Sequence, residues 1–228
     1  MTTLKSVGSA VFVALLLCVA VPFSANAQSD NSAALMVKAE LEKASSAAAA
    51  GKIRDLLRDA GTPVLGNPDG DVTIVEFFDY QCPYCKAAET RILDLLESDG
   101  NIRLVLKDFP ILGPDSRIAA RAALASRKQG KHETFHKALM DHRGQLKSET
   151  MFKIAQSVGL DMDRLRKDMD DPEIADQIME NFNLARSLKV SVTPGYFVDT
   201  TVLSGVSALT STAKIDFGEE VAKARANR

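Results

Sequence analysis

Residues 72–89 read VTIVEFFDYQCPYCKAAE, and the stretch changes character halfway along. Val72 to Phe78 is β-branched and aromatic, the composition of a buried strand. From Cys82 onward it reads as the start of a helix. Pro83 falls in the first turn, where a missing N–H costs nothing, and Ile92, Leu93, Leu95 and Leu96 supply an apolar face further on. Cys82 and Cys85 therefore stand at the junction between a strand and a helix N-terminus.

Downstream, Ile102 to Phe109 (IRLVLKDF) reads as a second strand. Strand, helix and strand in that order predict a parallel pair with a right-handed crossover. From Ser116 to about Leu188 the chain reads as successive helices, broken near Gly130, Gly144 and Gly159, with Ser148 and Asp161 as expected N-caps and Pro172 at a helix start. Pro194-Gly195 then leads into a strand at Tyr196–Val198, a candidate partner strand at Val202–Val206, and a last helix from Lys214 to Ala226. The pattern is an α/β unit interrupted by a block of helices. Upstream, the Ala-, Lys-, Glu- and Leu-rich segment after Gln28 reads as a helical arm, and the turn-rich TPVLGNPDGDV from Thr62 marks entry to the domain.

The first 27 residues read as a targeting segment. Lys5 is their single charge, Val11 to Val21 is an apolar core of 11 residues, and Ala25-Asn26-Ala27 is a small-residue cleavage site. The apolar run is too short to cross a bilayer as a helix, so a secretory signal peptide cut after Ala27 is expected. The domain boundaries expected are thus 1–27 for the signal, 28–61 for the arm and 62–228 for the α/β domain, with the helical insertion at about 113–188. The 228 residues carry a formal net charge of −2, so no global field draws the chain to nucleic acid or to an anionic membrane, and neither is expected as a partner.

Cleavage would remove Cys18 and leave Cys82 and Cys85 as the cysteines of an exported chain, in a compartment where disulfides persist. A bridge between them would close too short a loop to staple a domain of this size. A zinc site would need two more ligands beside them. A working redox pair fits better. A cysteine at a helix N-terminus faces unpaired N–H groups and the positive end of the helix dipole, which favour thiolate. Cys82, the first and more exposed sulfur, is read as the nucleophile, and Cys85, one turn on, as the resolving thiol. Pro83 and Tyr84 lie between them. No cofactor is expected beyond the Cys82–Cys85 disulfide, and no metal.

His132-Glu133-Thr134-Phe135-His136 matches the HExxH pattern of zinc peptidases, and His142 falls at the spacing of a third ligand. Leu139 stands where the longer motif needs a glycine turn. Without that turn, His142 lies about 120° round a helix from the other two. Incidental surface histidines beside a core face of Phe135, Ala138 and Leu139 are the simpler expectation. Thr193-Pro194, just before a strand, is a candidate cis peptide.

EFFDYQCPYC, KDFPILGPDSRIAARAAL, GKHETFHKALM, VGLDMDRLRKDMDDPEI and VTPGYFV together resemble the exported DsbA-like thiol–disulfide oxidoreductases, with the alphaproteobacterial and copper-sensitivity-suppressor branch the most similar. The resemblance spans about residues 64–207. It implies a thioredoxin-like fold with an inserted helical domain, Cys82 as nucleophile, Cys85 as resolving cysteine, and Pro83, Tyr84, Thr193 and cis-Pro194 at the substrate. It also implies that Glu76 is the family's buried acid near the active site, with Lys107 as its candidate partner in moving a proton to and from Cys85. Implied partners are unfolded or misfolded exported proteins in a periplasm and a membrane redox protein of DsbB or DsbD type, with the arm as a candidate oligomerisation element. Gly195-Tyr196 departs from the commoner Thr/Ala-Phe after the proline, and VDTTVLSGVSALTST lacks the usual Gly-rich hairpin. Oxidase, isomerase or reductase, and thiol-based copper binding or chaperoning, all remain open at this level.

Overall fold

Among the described residues, five strands form one sheet: β1 (Val64–Gly66), β2 (Val72–Phe78), β3 (Ile102–Asp108), β4 (Gly195–Val198) and β5 (Thr201–Val202). The computed structural model describes residues 51–52, 56–58, 61–199, 201–203 and 215–227, all in one unit spanning residues 48–228. The strand order is β1-β3-β2-β4-β5. β2 and β3 are parallel, as the strand–helix–strand order requires, and the other neighbours are antiparallel. β2 is central, and all seven of its residues are buried. Burial on both faces is why its two polar residues, Thr73 and Glu76, do not alternate with the apolar ones.

The two faces of β2 feed two cores. Val72, Ile74 and Phe78 join the larger one, with Cys85, Ile92 and Phe217, while Val75 and Phe77 join the smaller one, with Phe109, Ala185 and Phe197. Glu76 lies on the larger-core face, because side chains alternate along a strand.

The crossover from β2 to β3 is α1 (Pro83–Asp99), which ends on Gly100 at φ 70°, with the Gly100 N–H on the Leu96 carbonyl. Between β3 and β4 run α2 (Pro114–Ser126), a 3-10 turn (Arg127–Gln129), α3 (His132–Asp141), α4 (Ser148–Ser157), α5 (Met162–Asp168) and α6 (Pro172–Ser187). This is the helical block expected from the sequence. Asp161 caps α5 as expected, its carboxylate accepting from the Arg164 N–H at 3.0 Å. Ser148 does not cap α4; Lys147 holds that position, and the Ser148 hydroxyl donates to Asp115 on α2 at 2.9 Å. The final helix, α7 (Phe217–Ala226), packs on the sheet through Phe217 and Val221. The expected signal peptide, nearly all of the expected arm and most of the Val202–Val206 segment lie outside the described residues.

Candidate active site

Cys82 is the N-cap of α1, in extended conformation with φ −76° and ψ 115°. Its N–H donates to the Asp79 carbonyl at 2.9 Å, which sets the sharp exit from β2. Its sulfur accepts the Cys85 N–H at 3.3 Å, one of the donors a helix start leaves without an intrahelical partner. From the other side, the Cys82 thiol donates to the Thr193 carbonyl at 3.4 Å. The Thr193–Pro194 bond is cis, as expected, and carries this carbonyl to the sulfur. Both cysteines are free thiols.

The expected contrast in exposure is slight, since Cys82 is 2% exposed and Cys85 0%. Hydrogen bonding separates them instead. Cys82 is held down at about 6, chiefly by a hydrogen bond from the Cys85 thiol, with help from the Thr193 side chain and from the backbone of Cys85 and Tyr84, against the opposing effect of burial. Cys85 is pushed up well above the ordinary thiol, first by burial, then by its bond to Cys82 and by the charge of Glu76. One sulfur is therefore poised as thiolate at neutral pH while the other keeps its proton. Tyr84, between them, is 42% exposed, and Leu112, whose N–H is tied to Asp79 at 2.9 Å, is 51% exposed.

Glu76 is buried on the face that α1 covers. Burial, first, and the neighbouring Glu89 hold its carboxyl well above the usual range; a hydrogen bond from Tyr196 works the other way. The expected partnership with Lys107 is not formed. Lys107 pairs in register with Phe77, so it projects from the opposite face of the sheet, where its ammonium donates to the Thr62 hydroxyl at 2.8 Å. A one-residue offset between neighbouring strands is enough to separate the two groups. The partner of Glu76 is Tyr196, directly opposite on β4, whose hydroxyl donates to Oε1 at 2.9 Å. The departure from Phe at this position was visible in the sequence; its consequence was not. Gly195 also has a reason: a Cβ there would meet Val190 Cγ1 at 2.8 Å.

The histidines depart from expectation as well. His132 and His136 are buried, not on the surface. His136 Nδ1 hydrogen-bonds the Tyr80 hydroxyl at 2.9 Å and Nε2 meets Glu89 Oε1 at 3.1 Å, so neither nitrogen is left for a metal. Glu133 faces solvent and pairs with Lys137, while His142 ends α3. The first turn of α1 holds that helix end: Lys86 Nζ donates to the Leu139 carbonyl at 2.7 Å and the His142 carbonyl at 2.8 Å. Burial, then Arg143, lowers Lys86 to about 8. Gln81, just before Cys82, makes a two-way amide pair with the backbone of Leu146, at 2.7 and 3.0 Å. Sequence reasoning missed Glu89, though it follows Cys85 by one helical turn on the buried face of α1.

The chain is similar to known proteins in sequence and in fold. The DSBA-like thioredoxin domain matches residues 73–215. A thioredoxin-like oxidoreductase of Silicibacter pomeroyi DSS-3 is 44% identical, superposes with a TM-score of 0.66, and covers 73% of this chain and 97% of its own. The thiol-disulfide exchange protein alpha-DsbA2 of Wolbachia pipientis is 30% identical, with a TM-score of 0.64, covering 76% and 94%. Among curated relatives, the Na(+)/H(+) antiporter NhaA 1 of Salinispora arenicola (strain CNS-205) is 36% identical over 138 residues, 60% of this chain and 21% of that protein. The chain thus spans about a fifth of the length of the curated antiporters it matches.

Proposed function

Because this chain belongs to the DsbA-like thioredoxin-domain family, we propose that it is an exported thiol–disulfide oxidoreductase exchanging disulfides with envelope proteins through Cys82 and Cys85. The observation that carries this reading is geometric: two free thiols share one helix start, with Cys82 as N-cap accepting the Cys85 N–H and donating to the Thr193 carbonyl beside cis-Pro194. That setting holds Cys82 down at about 6 and pushes Cys85 up.

The exchange runs as follows in the oxidising direction. A client thiolate attacks the Cys82 sulfur of the Cys82–Cys85 disulfide. The new client–Cys82 bond forms, the Cys82–Cys85 bond breaks, and Cys85 leaves as a thiolate that takes a proton from Glu76. A second client thiolate then attacks the client sulfur, and Cys82 departs as a thiolate stabilised by the helix start. Two electrons pass from the client dithiol to the pair, leaving a client disulfide. A stabilised Cys82 thiolate favours the reduced pair and so makes the disulfide a stronger oxidant. In the reverse direction Glu76 takes the Cys85 proton as that sulfur resolves the mixed disulfide. Thr193 and Pro194 flank the sulfur under attack, and exposed Tyr84 and Leu112 offer apolar contact to an extended, unfolded client.

Export to a periplasm follows from the N-terminal targeting segment, with the mature protein beginning at Gln28; mass measurement of the envelope form tests it. No helix among the described residues is long and apolar enough to cross a membrane. Reoxidation or rereduction is assigned to a membrane redox protein of DsbB or DsbD type, as in the family the chain belongs to.

The redox equilibrium of the purified protein in glutathione buffers is the direct test. A potential near about −120 mV is expected, that of a disulfide donor; one near about −270 mV would make it a reductase or isomerase instead. Cys82→Ser is expected to abolish exchange and Cys85→Ser to accumulate client mixed disulfides. Full exchange activity in Cys82→Ser would overturn the assignment.

A further inference from the structure

Glu76 and Tyr196 face each other across neighbouring strands. The Tyr196 hydroxyl donates to Oε1 at 2.9 Å, while Oε2, equally buried, has no hydrogen-bond partner among the described residues. A buried carboxyl with Glu89 nearby gains by keeping its proton. A proton-holding Glu76 can give a proton to Cys85 but cannot take one.

We propose that Tyr196 is a positioning residue for disulfide exchange: by donating to one oxygen of Glu76 from β4, it fixes the carboxyl and keeps its other oxygen able to accept the Cys85 proton. The inference rests on the reading of Glu76 as the proton carrier for Cys85. A hydroxyl donating to the charged form stabilises that form, so Tyr196 opposes the effect of burial and of Glu89 on the same group. The phenol itself is held well above its ordinary value, by burial and then by Glu76, so it stays a donor at working pH. Phe in its place would keep the ring and leave both carboxyl oxygens bare.

The Glu76 and Tyr196 side chains are both fully buried. From α1 come Cys85 and Glu89, from its N-cap Cys82, from the preceding turn Tyr80, and from the helical block His136 through its bond to Glu89. Phe217 of α7 meets the Tyr196 ring edge-on at 4.9 Å, with the Arg91 guanidinium 5.9 Å from the Phe217 centroid. In the resolving step the Cys85 S–H proton passes to Glu76, the Cys85 sulfur bonds to Cys82, and the thiol bound to Cys82 leaves as a thiolate.

The test follows the dithiol protein as it reacts with oxidised glutathione between pH 5 and 9, with the glutathione–Cys82 intermediate quantified by acid quench and mass spectrometry. Tyr196→Phe is expected to capture glutathione at the wild-type rate, which also certifies its fold. Its resolution by Cys85 should be about tenfold slower at pH 7, with the pH midpoint moved upward, as expected for a lost hydrogen bond to a charged group. In a Glu76→Gln background the same change should have no further effect, because the path it acts through is gone. Wild-type resolution in Tyr196→Phe, or equal slowing with and without Glu76, would overturn the proposal and leave the role of Glu76 standing. Wild-type resolution in Glu76→Gln would instead remove the Glu76 reading and this proposal with it. Should Tyr196→Phe fail to fold, 3-fluorotyrosine at position 196, a near-isosteric and stronger donor, takes its place: the pH midpoint should move downward, and an unmoved midpoint would overturn the proposal.

Discussion

Cys82 and Cys85 are three residues apart on one helix, yet their protons are held very differently. Reducing their disulfide takes up two electrons, and the number of protons that follow depends on pH. Below about 6 both thiols are protonated; above it Cys82 stays a thiolate and only Cys85 takes a proton. The potential is therefore expected to fall by about 59 mV per pH unit below pH 6 and by about 30 mV above it. Glutathione equilibria measured from pH 5 to 8 check the break. A single steep slope across that range would mean that the helix start and the Cys85 thiol do not hold the charge. Little of this asymmetry could be read from CPYC alone. Helix position pointed to Cys82, but its largest stabilising partner is Cys85 itself, and the cis-Pro loop arrives from more than a hundred residues away.

At the scale of elements, the active-site turn is fastened to the helical block. Gln81 pairs both ways with the Leu146 backbone, and Lys86 holds two carbonyls at the end of α3. These contacts join segments that the sequence keeps some 60 residues apart. Gln81→Ala is expected to cost about 1–3 kcal/mol, because it strands a partly buried N–H and C=O of Leu146. Urea denaturation of wild type and variant measures it, and a change within about 0.5 kcal/mol, the usual range for a surface substitution, would mean that the turn does not depend on the block. The order of strands and helices was legible, since β-branched runs, proline helix starts and glycine breaks are local signals. Register was not. Whether Lys107 joins Glu76 or turns its back on it depends on a one-residue offset that pattern reading cannot resolve.

For the whole molecule, buried carboxyls tie stability to pH. Asp108, at the end of β3, is buried with no other residue hydrogen-bonded to its carboxyl among the described residues, and burial, partly offset by its own backbone N–H and with Asp79 adding to it, raises it to about 8 from the usual 3.8. Between about pH 4 and 8 the folded state therefore holds a proton that the unfolded chain has lost, so this group's contribution falls as pH rises through that window. Cys82 in the dithiol form acts oppositely. Its folded value lies below its unfolded one, so its contribution is full above about 9 and is lost as pH falls through about 6. Asp108→Asn is expected to flatten the decline between pH 4 and 8 and to stabilise the protein at pH 8. Denaturation curves at several pH values test this, and an unchanged slope would show that Asp108 is ionised in the fold.

The interrupted α/β order, the two cysteines at a helix start and the proline loop meant to meet them were all legible in the residue pattern. These depend on local periodicity, side-chain shape and the unsatisfied donors of a helix terminus, all of which act over a few residues. Long-range packing settled the rest: Tyr196 rather than Lys107 beside Glu76, a buried His136 bridging Tyr80 and Glu89, and a Cys82 residue nearly as enclosed as Cys85. Each of these hangs on strand register or on packing between distant elements, where a buried polar group must find its hydrogen-bond partner among whatever the fold brings within reach.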